Sequence, residues 1–236
     1  LFFVFLTSLC SLTAWAAERE APTVPANSAP VSGQEYYLYN VESQLFLSSY
    51  NTIGESPLRV PVTVNDEGAY LFQDGVSGRY IAATNNYGDV DTNSHMTVVN
   101  YWSVANGESG YTIQCSPLNG YYNETYFLGI LEGNTKVKYT CSSEDRIHWL
   151  FIPTDESGER FVAELKLYRA LNALDGLSLP PSLTAHFENI YTNRANQTVD
   201  LITSTARATR NCPGMSQGYI APYWNEFPIL WETPDG

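Results

Sequence analysis

The chain has 236 residues, 44% of them hydrophobic and 16% charged, with 5 Trp, 17 Tyr and 10 Phe and a formal net charge of −13. That apolar fraction supports a packed core and excludes wholesale disorder. So acidic a chain lacks the basic footprint of a nucleic-acid binder, and 4 Cys are too few for a disulfide scaffold.

Residues 1–13 (LFFVFLTSLCSLT) are almost wholly apolar and run into Ala14-Trp15-Ala16-Ala17, then Glu18-Arg19-Glu20. An apolar run ending in a small-x-small pattern is the hydrophobic region and cleavage site of a secretory signal peptide. It is shorter than the roughly 20 residues of a membrane-spanning helix. Residues 1–16 are therefore expected to be removed, and the mature protein to be secreted or held at the cell surface or in the periplasm, without a membrane span. Leu9 stands where a lipoprotein needs a small residue before Cys10. The chain opens on Leu without a basic leader, so its start reads as truncated. Cleavage leaves Cys115, Cys141 and Cys212, an odd set, with Cys115–Cys141 one possible bridge.

Residues 17–33, rich in Pro, Ala and Ser, read as a linker. From 34 to 156 short Tyr/Val/Ile/Leu/Phe runs alternate with Asn, Gly, Asp and Ser clusters, the texture of a β domain. Residues 35–156 carry 15 acidic and 5 basic side chains, most of the net charge. Over 157–210 the periodicity becomes helical. Glu159–Leu174 has a face at 161, 165, 168 and 171, with Gly176 beyond its end. Leu183–Arg194 and Thr198–Arg210 follow as two further helices, the last with Asn196 as a candidate cap. Residues 211–236, with two Trp and four Pro, read as the start of a further, truncated domain.

The β region repeats three times. Aromatic-led openers stand at Glu35–Tyr39, Gly68–Gln73 and Gly110–Gln114. Second strands follow at Phe46-Leu47, Tyr80-Ile81 and Phe127-Leu128, and closing strands at Val60–Val64, Trp102–Val104 and Trp149–Ile152. The second strand lies 22 residues before the closing Trp in repeats two and three (80 to 102, 127 to 149) and 16 in repeat one, measured from 46 to 62. Four short strands, three times over, in about 120 residues make the arithmetic of a barrel closed about a pseudo-threefold axis, which leaves few exposed edges.

On these openers and closers the sequence resembles the β-trefoil family, ricin-type or fascin-like, as it occurs in secreted multidomain bacterial proteins. The resemblance covers roughly 34–155, extending to 210 with the helical run. It implies a mainly β fold, a β-trefoil followed by a short helical segment. The Q-x-W signature of ricin-type lectins is absent, since the closing strands read Tyr101-Trp102-Ser103 and His148-Trp149-Leu150. Trp102 and Trp149, and with them Tyr37, Tyr70, Phe46, Tyr80 and Phe127, are expected to fill the barrel core.

Function is sought in the loops. Asn85, Asn86, Tyr87, Asp89 and Asp91 in one, and Tyr121, Tyr122 and Asn123 in another, combine aromatic faces with amides and carboxylates, the chemistry that binds sugars. Asp74, between opener and second strand, lies where the resemblance implies a sugar-binding carboxylate. Asp89-x-Asp91-x-Asn93 continues with Ser94 and Asn100, not the Gly and Glu of an EF-hand, so neither a metal nor another cofactor is expected. His95, His148 and His186 fall outside any nucleophile or metalloprotease signature, and no catalytic residue is assigned. Two N-x-T sequons, at Asn123 and Asn196, matter only in a eukaryotic secretory pathway. The expected function is non-catalytic binding of a glycan or glycoconjugate at the N-terminal end of a larger protein. The alternatives are a spacer attached to a downstream glycoside hydrolase or peptidase domain, or a protease inhibitor.

Overall fold

The computed structural model describes residues 19–83, 90–93, 101–115, 126–175, 177 and 179–212. Residues 1–18, with the segment expected to be a signal peptide, and the aromatic tail from residue 213 lie outside them. Twelve strands are found among the described residues, four to a repeat. Repeat one holds β1 (Glu35–Asn40), β2 (Leu45–Ser48), β3 (Thr52–Gly54) and β4 (Val60–Val64). Repeat two holds β5 (Tyr70–Phe72), β6 (Tyr80–Ala83), β7 (Val90–Asn93) and β8 (Ser103–Asn106). Repeat three holds β9 (Tyr111–Gln114), β10 (Phe127–Gly129), β11 (Lys138–Cys141) and β12 (Trp149–Pro153).

Their pairing closes a ring. β1 pairs with β4, β4 with β5, β8 with β9, β9 with β12 and β12 with β1. The gap between β5 and β8 is bridged at Tyr70–Trp102 by reciprocal N–H···O bonds of 2.8 and 2.9 Å. Three hairpins, β2–β3, β6–β7 and β10–β11, complete one unit per repeat. A six-stranded closed barrel with three hairpins about a pseudo-threefold axis is a β-trefoil.

The register differs from the sequence expectation by two residues in repeat one. Tyr36 faces Val60, Tyr70 faces Trp102 and Tyr111 faces Trp149, so the counterpart of the two Trp is Val60 and not Val62. The reason is a hydrogen bond. The Trp102 indole N–H donates to the Ile81 carbonyl, and that of Trp149 to the Leu128 carbonyl, each at 2.9 Å. In repeat one the matching carbonyl, Leu47, accepts from the Leu58 backbone N–H at 2.8 Å. The shorter link between hairpin and closing strand carries the backbone to a place that an indole reaches elsewhere. Val60 needs no donor there.

Side chains alternate along each strand, so every second residue faces the barrel interior. Tyr36, Leu38, Leu47, Ile81, Leu128, Trp102, Trp149 and Phe151 do so and form one core. The Phe151 ring lies 5.9 Å from Tyr36, 6.0 Å from Phe72 and 5.7 Å from Tyr111. Tyr37 and Phe46, expected in this core, point the other way and belong to a separate cluster outside the barrel. Tyr80 and Phe127, also expected there, are only half-buried, because their neighbours Ile81 and Leu128 take the inward position. Tyr70 is half-buried and packs against the barrel core.

Three helices follow: α1 (Glu156–Leu174), α2 (Pro181–Thr192) and α3 (Val199–Arg210). Helix α1 starts at Asp155, whose carboxylate accepts from the Ser157 and Gly158 backbone N–H groups at 2.9 and 3.2 Å. The Ser157 side chain and these N–H groups hold the Asp155 carboxyl below the ordinary range. Pro181 occupies the first turn of α2, where its missing N–H costs nothing. Thr198 caps α3, accepting from Leu201 N–H at 3.2 Å. Asn196, expected in that role, ends a 3-10 turn two residues earlier. The helices share a core of their own around Leu167, Leu171, Phe187 and Ile202.

Barrel and helices meet where Phe161, Val162 and Leu165 of α1 cover Tyr37, Tyr39, Phe46 and Ile152. The Phe161 ring is 5.5 Å from Tyr39 and 6.2 Å from Phe46. Glycine at 158 allows this approach: a β-carbon there would stand 1.7 Å from the Pro153 carbonyl oxygen. Residues 19–33, read as a linker, lie against both units. Arg19 is clamped by Asp175 and Glu188 at 2.7 and 2.6 Å, and Asn27 accepts from the Phe151 N–H at 3.0 Å. Burial works against the Arg19 charge, but the two carboxylates outweigh it and raise its pKa. Cys115, Cys141 and Cys212 are all buried and outside any disulfide, so the possible Cys115–Cys141 bridge does not form. Burial pushes the Cys141 and Cys212 thiols up to about 12 and about 11. No described helix is long and apolar enough to cross a membrane.

Candidate functional site

The turn after each opening strand shows what the pseudo-symmetry keeps and what it changes. In repeat one Asn40 Oδ1 accepts from the Ser43 N–H at 3.0 Å. In repeat two Asp74 Oδ1 accepts from the Ser77 and Val76 N–H groups at 2.9 and 2.8 Å. Both are turns in which a short side chain replaces a backbone acceptor. Asn40 is fully buried, its amide donating to the Arg146 and His148 carbonyls at 3.2 Å. Asp74 is half-exposed, beside a Val76 that is 87% exposed. The third equivalent position is Cys115. A carboxylate with solvent access therefore occurs at this position in repeat two alone.

Beside it lies an aromatic. Gln73 bridges to Tyr80, so the half-buried Tyr80 side chain stands on β6 next to the Asp74 turn. Tyr80 pairs with Asn93 across the hairpin, and Ala82 with Asp91, which puts Asp91 on β7 of the same unit. The residues 84–89 at the tip of this hairpin, which include Asn85, Asn86, Tyr87 and Asp89, lie outside the described residues. So do Tyr121, Tyr122 and Asn123, in the connection from β9 to β10. Asp74 and Asp91 are thus on one unit, and the Tyr121–Asn123 segment belongs to the next. Sequence reasoning placed Tyr80 in the core; the signal that it faces outward was the apolar Ile81 directly after it.

Other polar clusters serve the fold. The Tyr37 hydroxyl donates to Glu159 at 2.6 Å, and Arg59 donates to the same carboxylate oxygen at 2.5 Å. Burial and the Glu159 contact push the Tyr37 hydroxyl up to about 12. His148 pairs with Glu42 through Nδ1 and through its backbone N–H. His186 lies on α2 against Phe187, and His95 is outside the described residues. Among the described residues no three His, Cys, Asp or Glu are placed to hold a metal ion.

No family model matches the sequence, and no curated protein does either. Among solved structures the fold is similar to the GlcNAcα1-4Gal-releasing endo-β-galactosidase of Clostridium perfringens, at 14% identity and TM-score 0.43. That similarity covers 52% of this chain and 33% of the enzyme, so the chain spans about a third of the enzyme's length. The Rhizoctonia solani agglutinin is similar at 19% identity and TM-score 0.38, over 53% of this chain and 99% of that one. The designed threefold-symmetric protein ThreeFoil is similar at 17% identity and TM-score 0.39, over 50% and 96%. The trefoil assignment itself rests on the closed strand pairing described above.

Proposed function

We propose that the protein is a secreted, non-catalytic glycan-binding module at the N-terminal end of a larger polypeptide, and that repeat two carries its primary contact surface. The observation behind this reading is the pairing of a half-exposed aromatic, Tyr80, with a half-exposed carboxylate, Asp74, on one hairpin unit. A sugar presents an apolar C–H face and a rim of hydroxyls, and it is held by a ring against the first and acceptors against the second. Asp74 Oδ1 is committed to its turn, so Oδ2 is the oxygen offered to a hydroxyl. By residue type alone, Asn85, Asn86, Tyr87 and Asp89, with Asp91 of the same repeat, and Tyr121, Tyr122 and Asn123 of repeat three are further candidate contacts.

A glycan array with the chain from Ala17 onward tests this. Binding should appear and should be lost in Tyr80→Ala and in Tyr87→Ala, whereas Asp74→Asn weakens it without unfolding the turn. Silence on every glycan would overturn the reading. The alternative is a rigid spacer for a downstream catalytic domain. It draws on the apolar seam between barrel and α1, which couples the two units through Phe46 and Phe161. Silence on the array together with a catalytic domain after Gly236 in the full reading frame would favour it.

A further inference from the structure

Away from the repeat-two surface, a cleft of about 290 Å³ opens where repeat one meets the helices, lined by Glu55, Arg169, Ala170, Ala173 and Arg210. Glu55 follows β3, Arg169 projects from α1, and Arg210 ends α3. Two guanidinium groups here share one carboxylate. Arg210 is ion-paired with Glu55 Oε2, which leaves Glu55 Oε1 at 4.0 Å from Arg169 Nη1. That separation is too long for a hydrogen bond. Arg169 Nη1 is buried and has no hydrogen-bond partner among the described residues. A buried donor left unpaired loses the hydration it had in water with nothing in exchange, and the loss is larger when it is charged. Burial, which disfavours the charged form, lowers the pKa of both Arg169 and Arg210. The wall between them is made of Ala170 and Ala173, two methyl groups that leave the space open, and the exposed Ala173 stands at its mouth.

We infer that this cleft is a binding site for a small oxyanion, a carboxylate or sulfate group, held between Arg169 and Arg210. A planar guanidinium presents paired donors that match two oxygens of such a group, and the pairing strengthens away from bulk water. The anion satisfies Arg169 Nη1, and a monovalent carboxylate brings the local charge of two cations and one carboxylate to balance. It joins β3, α1 and α3, so its occupancy stabilises the junction of barrel and helices. Glu55 is its competitor, since it already occupies part of the donor set of Arg210.

Thermal unfolding of the full chain tests the site, with sodium sulfate and sodium glucuronate titrated against sodium chloride at matched ionic strength. The expected result is a saturable rise in Tm, about 3–5 °C at tenfold excess over the midpoint. Arg169→Met keeps the aliphatic stem and should weaken the response at least tenfold. Glu55→Gln should lower the midpoint by removing the competing carboxylate. Ala173→Glu places a carboxylate at the mouth of the cleft; it should raise Tm without added anion and abolish the response. This variant decides the matter if Arg169→Met does not fold. A lower midpoint for glucuronate assigns the oxyanion to an acidic sugar, and a lower one for sulfate to the inorganic ion. A sulfate effect that does not saturate, or that is equal in the wild type, Arg169→Met and Ala173→Glu, is general salting and overturns the proposal.

Discussion

Repeats one and two present the same position to their surroundings in opposite ways. Phe46 and Tyr80 both sit one residue before the barrel-facing member of the second strand, and both point outward. Phe46 is fully buried, because Phe161 and Leu165 of α1 lie on it. Tyr80 is half-exposed, next to the Asp74 turn. The openers diverge likewise: Asn40 is sealed inside, while Asp74 keeps the same turn bond in contact with water. Threefold repetition supplies three equivalent outer faces, and the asymmetric addition of a helix spends one of them on stability. A face left uncovered is free to bind, which is the physical basis for proposing repeat two as the contact surface.

The sharpest break in this comparison comes from truncating the two equivalent aromatics. Phe46→Ala should cost about 3–5 kcal/mol in urea unfolding, and Tyr80→Ala no more than about 1 kcal/mol. Similar losses would mean that the outer face of repeat two is also covered. Gly158→Ala tests the cover itself. With a β-carbon 1.7 Å from the Pro153 oxygen, α1 must lift from the barrel, at about 3 kcal/mol. Tyr37 and Tyr39 should then gain solvent exposure, read as quenchable tyrosine fluorescence.

A smaller effect probes what the repeats share. Trp102→Phe and Trp149→Phe each leave a buried carbonyl without its indole donor, and each should cost about 1–3 kcal/mol. The two should agree closely, since the bonds are equivalent, whereas repeat one makes the corresponding bond through backbone and has no such mutant. The contact between repeat one and α1 also carries a pH signature. Tyr37 titrates at about 12 when folded, against about 10 in an unfolded chain. The folded state therefore keeps its proton longer, and stability falls as pH rises from about 10 towards 12. Glu159→Gln should make that fall shallower in denaturant titrations at successive pH values, because it removes one of the two causes; burial preserves the rest. Asp74→Asn should have the least effect, within about 0.5 kcal/mol, since Asn40 already performs the same turn in repeat one.

Much of the architecture was legible in the chain. Aromatic openers and closing strands recurring at near-constant intervals announce a barrel, because period-2 burial and turn residues are local properties written in each segment. The three helices were readable for the same reason, apart from their caps. Asn196 and Thr198 are both competent caps by residue type, and only the path of the chain after α2 chose Thr198. The register of repeat one was not legible, because counting residues from strand to strand does not show that the Leu58 N–H replaces an indole.

Sequence by itself, then, determined that this is a threefold β barrel followed by helices, since that follows from repetition and periodicity. Tertiary structure alone decided which outward aromatics are buried and which are exposed, that Cys115 and Cys141 are not joined by a disulfide, and that Arg169 meets Arg210 over a single carboxylate. Those outcomes depend on contacts between residues far apart in the chain, where burial and charge are set by what the fold brings alongside.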